Sequence, residues 1–284
     1  MENYILLFAV FLVHQGVAQQ FNESCGHVEW ASSIIVGPKS PLPGDWPWMA
    51  AIFLQETGNE KKVICGGALI SPKHILTTGV CVSDRRRTTQ AAGLLSVRLG
   101  VVDLHSTGDD TRAINVDVKA IHRHPKFNVR TYNNDVALLE LSEEVPFSQF
   151  VRPVCLPLGE ISKKNVTGRR ASVVGWGHPT NVAERDSDRL LEDYVDIWAE
   201  AECLEAYRRF PLDKKTQMCA GDYRTGADPC RVTAGGSLLS FFGDRFYVLG
   251  LVSAGYRCGT AGYPGIYTRI SSHLDWIEGI LNSR

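Results

Sequence analysis

The chain carries no surplus of either charge: 30 Lys and Arg stand against 31 Asp and Glu, a formal −1 over 284 residues. A nucleic-acid partner is normally met by a basic excess, so that class of partner is excluded as the main one. No stretch of 18 or more apolar residues occurs, so no segment is expected to span a membrane. Cys-x-x-Cys is absent, which excludes the usual zinc-cluster spacing, and neither metal nor cofactor is expected. Internal repeats and low-complexity tracts are also missing. Residues 1–38 contain neither Lys nor Arg. What remains is ordinary globular composition, 44% hydrophobic, enough to bury a core without help from metal or partner.

Residues 4–13 form an apolar run too short for a membrane span, and Gly16-Val17-Ala18 follows with small residues suited to cleavage. This pattern reads as a secretory signal peptide over 1–18. The expected location is therefore extracellular, an oxidising compartment. All eight cysteines lie beyond the leader, and an even count there implies four disulfides, with 105 pairings open from spacing alone. Secretion also turns Asn22-Glu-Ser and Asn165-Val-Thr into glycosylation candidates.

Periodicity is strand-like nearly throughout. Ile52-Phe53-Leu54, Ala68-Leu69-Ile70, Ile75-Leu76, Val97-Arg98-Leu99, Val136–Leu139, Val173-Val174, Tyr247–Val252 and Gly265-Ile266-Tyr267 are short apolar or alternating runs. Gly, Pro, Asn or Asp separates them, and this punctuation favours an antiparallel barrel or sandwich. Two helical patches interrupt the series. Ala199–Arg209 precedes Pro211, and Ser272–Leu281 aligns Trp276, Ile277, Ile280 and Leu281, with Ser271 or Ser272 as the N-cap.

Several segments in a fixed order carry a resemblance: Ile35-Val36-Gly37, Trp46-Pro47-Trp48-Met49, Cys65–Ser71, Asn134-Asp135, Val151–Pro157, Gly175-Trp176-Gly177, Met218–Gly221, Gly235-Gly236 and Pro264–Thr268. Together they resemble the chymotrypsin/trypsin-like serine protease family from about residue 35 to the C-terminus. The resemblance implies an all-β fold of two six-stranded antiparallel β-barrels, over about 35–140 and 150–270. It adds a C-terminal helix near 272–282, with residues 19–34 as a pro-like segment. It also implies the disulfides Cys25–Cys155, Cys65–Cys81, Cys203–Cys219 and Cys230–Cys258.

Acyl transfer in that family needs a hydroxyl nucleophile, an imidazole to carry its proton and a carboxylate to orient the ring. The matching positions here are Val80 for the imidazole, Asp135 for the carboxylate and Ala234 for the hydroxyl. Val232 and Thr233 fall where the resemblance implies the oxyanion-hole glycine and the aspartate that receives the freed N-terminus. Without Lys or Arg in residues 1–38, a trypsin-like activator has no basic residue to cut after. Ser237, His74, His122 and His124 are the neighbours that a rescue would have to use, and none stands at a catalytic position. Ser253 is expected to satisfy Asp135. Asp228, Gly255 and Gly265 match the base and walls of trypsin's specificity pocket, with Ala254 in place of a wall tryptophan. Asp103, Asp109 and Asp110 neighbour a family calcium loop but lack its paired glutamates.

Five basic clusters, Arg85-Arg86-Arg87, Lys163-Lys164, Arg169-Arg170, Arg208-Arg209 and Lys214-Lys215, are expected on surface loops. The first offers a glycan contact. The functional expectation is a secreted, non-catalytic serine protease homologue, similar to clip-less homologues of arthropod body fluids. It would bind an extracellular protein as a regulatory cofactor or decoy in an immune or reproductive pathway. The alternatives are a weak or unconventional trypsin-like endopeptidase and a glycan- or pattern-binding module.

Overall fold

Short apolar runs bounded by glycine and proline become the staves of two barrels. In the computed structural model, residues 24–28, 41–56, 60–105, 112–177, 187–222, 232–255, 260 and 262–283 are described. The leader, all of the 19–34 segment except residues 24–28, Ile35-Val36-Gly37, Asn22, Asp109, Asp110, Asp228, Cys230 and Cys258 lie outside them.

The first barrel contains β1 (Met49–Gln55), β2 (Lys61–Ser71), β3 (His74–Thr77), β4 (Leu95–Leu99), β5 (Ile114–Arg123) and β6 (Ala137–Leu141). The second contains β7 (Arg170–Gly177), β8 (Ser187–Ile197), β9 (Gln217–Gly221), β10 (Ser237–Phe242), β11 (Arg245–Ala254) and β12 (Gly265–Arg269). Both close on themselves, in the orders β1-β2-β3-β6-β5-β4 and β10-β11-β12-β9-β8-β7, every pairing antiparallel. Closure removes the unpaired edges that an open sheet would present. In β5, buried Val116 and Val118 alternate with exposed Asn115, Asp117 and Lys119, the period of a half-buried strand. In β6, Ala137, Leu138 and Leu139 are all fully buried, because one face fills the barrel and the other meets neighbouring structure.

One apolar cluster runs from Ile52, Leu69 and Leu138 of the first barrel to Val174, Trp176 and Leu251 of the second. Another fills the second barrel around Val173, Val195, Met218, Leu238 and Tyr267. Trp46 packs edge-on against Trp48 at 5.8 Å and against Phe246 of β11 at 5.1 Å, pinning the two halves together. The 24–28 segment is strapped over the same place. Gly26 donates to the Pro153 carbonyl and accepts from the Phe246 amide, while Cys25 is bonded to Cys155. At Gly26, φ is +70° and a Cβ would lie 2.4 Å from the Phe246 carbonyl oxygen, so only glycine fits. Closing a loop of 130 residues makes the Cys25–Cys155 bond worth about 5 kcal/mol through the unfolded chain. Cys65–Cys81 and Cys203–Cys219 are also formed.

Two helices occur among the described residues, α1 (Glu200–Ala206) and α2 (Leu274–Leu281). Neither serine expected as a cap for α2 serves. A short 3-10 turn spans Ile270–Ser272, so the cap position passes to His273, whose side chain makes no capping bond. Ser272 instead donates its hydroxyl to the Lys215 carbonyl. α2 is held by packing of Leu274 and Ile277, which outweighs the missing cap. No helix among the described residues is long and apolar enough to cross a membrane.

Candidate active-site cleft

Asp135 ends a tight turn in which Asn128 pairs with Asn133, and Tyr132 and Asn134 adopt left-handed backbone (φ 57° and 54°). The turn delivers the carboxylate to the start of β6 with no solvent exposure. Its Oδ1 accepts the Val80 amide at 2.8 Å, and the Gly79 amide also favours the carboxylate. Its Oδ2 accepts the Ser253 hydroxyl at 2.5 Å, and its main-chain carbonyl accepts the Thr268 hydroxyl at 2.7 Å. Complete burial pushes the Asp135 carboxyl up to about 7, against the opposing pull of Ser253 and the two amides. Val80 therefore meets Asp135 through its backbone. Its isopropyl side chain packs beside the barrel core and adds no polar group.

The second barrel supplies the turn Val232–Gly236 just before β10. Ala234 is tied to the first barrel by its carbonyl, which accepts the Gly66 amide at 3.0 Å. Gly235 donates to Val252, adjacent to Ser253, so the same short piece of β11 holds both the turn and the carboxylate. At Gly235, φ is +81° and a Cβ would lie 2.1 Å from the Gly66 carbonyl and 2.7 Å from the Thr77 hydroxyl. The turn is thus pressed against the first barrel with no room for a side chain at that point. Val232 is buried, and its Cγ1 occupies the space where a Cβ on Gly175 or Gly236 would fall, at 2.5 and 2.2 Å. Thr233 is satisfied locally: its amide and its hydroxyl both donate to the Trp176 carbonyl, at 2.7 and 3.0 Å.

The other singled-out residues lie elsewhere. Ser237 is fully buried in β10, where its Oγ has no hydrogen-bond partner. His74 shares a hydrogen with the Ser71 hydroxyl at 2.8 Å, and burial lowers its ring to about 4. His122 lies 3.6 Å from Glu140 on the outside of the first barrel. His124 stacks edge-on against His273 and Trp276, where burial likewise lowers it to about 4. Gly255 is exposed just beyond β11, and buried Gly265 opens β12. Asp103 accepts from Arg189 and from the His105 amide. Asn165 is exposed on a turn, its side-chain oxygen accepting the Thr167 amide. Thr77 and Thr268 were not anticipated: the only signal was a hydroxyl inside an apolar strand, and their roles depend on which carbonyls the fold brings opposite.

The trypsin family model matches residues 35–277. The proclotting enzyme of Tachypleus tridentatus is 36% identical over 258 residues, covering 90% of this chain and 68% of that protein. The venom serine protease Bi-VSP of Bombus ignitus is 35% identical over 257 residues, covering 88% and 69%. Phenoloxidase-activating factor 3 of Holotrichia diomphalia is 33% identical over 259 residues, covering 86% and 71%. Paired six-stranded barrels, a buried carboxylate and a glycine-rich turn meeting between them, and matches of this extent lead to one assignment: the chain belongs to the trypsin family of serine proteases.

Proposed function

We propose that this protein is a secreted, non-catalytic member of the family. It acts by binding another protein, as a regulatory cofactor or decoy in an extracellular protease cascade of immune or reproductive type. The carrying observation is the cleft itself, where the carboxylate Asp135 is met by the backbone of Val80 and the facing turn presents Ala234. A valine cannot carry a proton and an alanine cannot attack a carbonyl. Losing both groups costs on the order of 10⁶ in turnover. The three formed disulfides suit an oxidising location, and the relatives' names (proclotting, phenoloxidase-activating) support a cascade setting.

Thr233 supports the same reading. In an activated relative this position would receive a charged N-terminus, whereas here the hydroxyl is spent on the Trp176 carbonyl and carries no charge. Besides Ser237, His74, His122 and His124, a weak hydrolase could recruit Ser253, the hydroxyl already beside an acid. Ser253 is buried, however, and its hydrogen is committed to Asp135.

The test is labelling of the purified protein with a fluorophosphonate probe, together with Arg, Lys, Phe and Leu ester substrates. Neither labelling above a denatured control nor turnover is expected. Labelling of any side chain above the denatured control would overturn the proposal, and its loss in Ser253→Ala would identify Ser253 as the site. The double variant Val80→His, Ala234→Ser is also expected to show no proteolysis, because Val232 and Thr233 still shape the turn.

A further inference from the structure

We infer that the loop following Val80, together with the neighbouring end of β5, forms a binding site for a sulfated glycan at the first-barrel rim of the cleft. The loop is built to hold its tip still. Ser83 pairs with Thr89, the Asp84 amide donates to the Thr88 carbonyl at 2.9 Å, and Gln90 donates to Val82 at 2.7 Å. Arg87 takes a left-handed backbone (φ 66°), turning the chain so that Arg85, Arg86 and Arg87 are all exposed. The Cys65–Cys81 bond anchors the base.

From the neighbouring segment, Arg123 donates to the Ser83 hydroxyl at 2.9 Å and to the Arg87 carbonyl at 3.0 Å. Its guanidinium also lies 5.8 Å from the Phe127 ring, between Lys126 and Arg130 in sequence. Across residues 79–90 and 123–134, six cations (Arg85, Arg86, Arg87, Arg123, Lys126 and Arg130) therefore accompany one carboxylate, Asp84. That carboxylate is occupied, accepting both the amide and the hydroxyl of Thr88 at 2.8 and 2.7 Å. In a chain whose overall charge is −1, this is a local concentration of positive field.

The other basic clusters differ. Lys163 pairs with Glu160 at 3.0 Å, Arg208 with Glu205 at 3.0 Å and Lys214 with Glu200 at 3.2 Å. Arg169 is bound to Ser240 and lies over the Phe242 ring. Arg85, Arg86 and Arg87 form no ion pair within 4.0 Å among the described residues, and the one carboxylate that feels an arginine of the cluster is Asp84, through the amide and the charge of Arg86. Adjacent guanidinium forks suit the planar, multiply charged oxygens of sulfate and carboxylate groups. A protein partner would be expected to use apolar anchors as well. Among the described residues, the exposed large hydrophobics Leu42 and Phe147 are on other segments, and Leu94, on the short turn after the loop, is a single side chain rather than an apolar patch. Charge without anchors favours a polyanionic chain.

The inference is independent of whether the cleft is catalytic, and its test does not read activity. Heparin is the probe, with binding measured against salt for the wild type, for Arg85→Ala/Arg86→Ala/Arg87→Ala and for Lys214→Ala/Lys215→Ala, each checked for folding by thermal melting. The wild type is expected to be retained. The triple variant should bind roughly tenfold more weakly near physiological salt, with the slope of log K against log salt shallower by about 2. The lysine pair should bind like the wild type. Three results overturn the site: no retention, equal losses in the two variants, or poly-glutamate of matched charge displacing the protein as effectively as heparin. The last would assign the loop to an acidic protein.

Discussion

The two barrels contribute to the cleft in opposite ways. The first brings the buried acid of a polar arrangement, Asp135 with the amides of Val80 and Gly79, which the second completes with the hydroxyls of Ser253 on the carboxylate and Thr268 on the main-chain carbonyl. The second brings a turn closed by apolar filling and main-chain bonds, with Val232 between Gly175 and Gly236 and Thr233 turned back onto Trp176. A buried hydrogen-bonded acid resists piecemeal change, because removing one member leaves its partners unsatisfied. A turn can instead be rebuilt by a single side chain that fills the available space.

The largest effect should come from forcing the two sides apart. Gly235→Ala combines a left-handed φ with a Cβ 2.1 Å from the Gly66 carbonyl, and should lower unfolding free energy by about 4 kcal/mol or prevent folding. Urea denaturation or the yield of folded protein would show it.

Next in size, Asp135→Ala orphans two amides and a hydroxyl and should cost about 3 kcal/mol by the same measurement. Its companion Asp135→Asn reads the charge alone. Because the folded carboxyl is raised to about 7, the native state holds its proton more tightly than the unfolded chain. The Asp135 contribution is thus fully present below about pH 4 and is lost as pH rises through about 7. His74 and His124, lowered to about 4, tilt stability the other way over the acidic part of this window, so the wild-type-minus-Asn difference is the quantity to follow. A difference flat from pH 4 to 8 would show that the acid is not held protonated.

On the second side, Val232→Gly empties the space against Gly175 and Gly236 and should cost about 2 to 3 kcal/mol. A stabilising outcome would mean that the valine strains the turn rather than filling it. The smallest change is Thr233→Ala, which removes one partly buried hydroxyl bond and should cost about 1 kcal/mol in the same melts.

Much of the fold was legible because the signal was local. Eight apolar runs read from the chain fall in strands, among them Ile75-Leu76 in β3 and Tyr247–Val252 in β11. β8 was harder to read: Asp188, Arg189, Glu192, Asp193 and Asp196 interrupt its apolar residues, and its pairing with β7 and β9 makes it a strand. The α2 cap went to His273 rather than a serine because the 3-10 turn consumed Ser271 and Ser272. In the cleft, Val80, Asp135 and Ala234 were identifiable by order along the chain. The hydroxyls of Thr77 and Thr268 were not, since their partners lie 11 and 133 residues away.

By itself the sequence determined which chemical groups this protein can bring to its cleft, since residue identity is written residue by residue and no fold can turn valine into an acid or base. Tertiary structure alone decided how those groups are held. The burial that raises Asp135, the Val232 methyl lodged between two glycines and the arginine loop braced by Arg123 all arise from contacts between segments far apart in the chain.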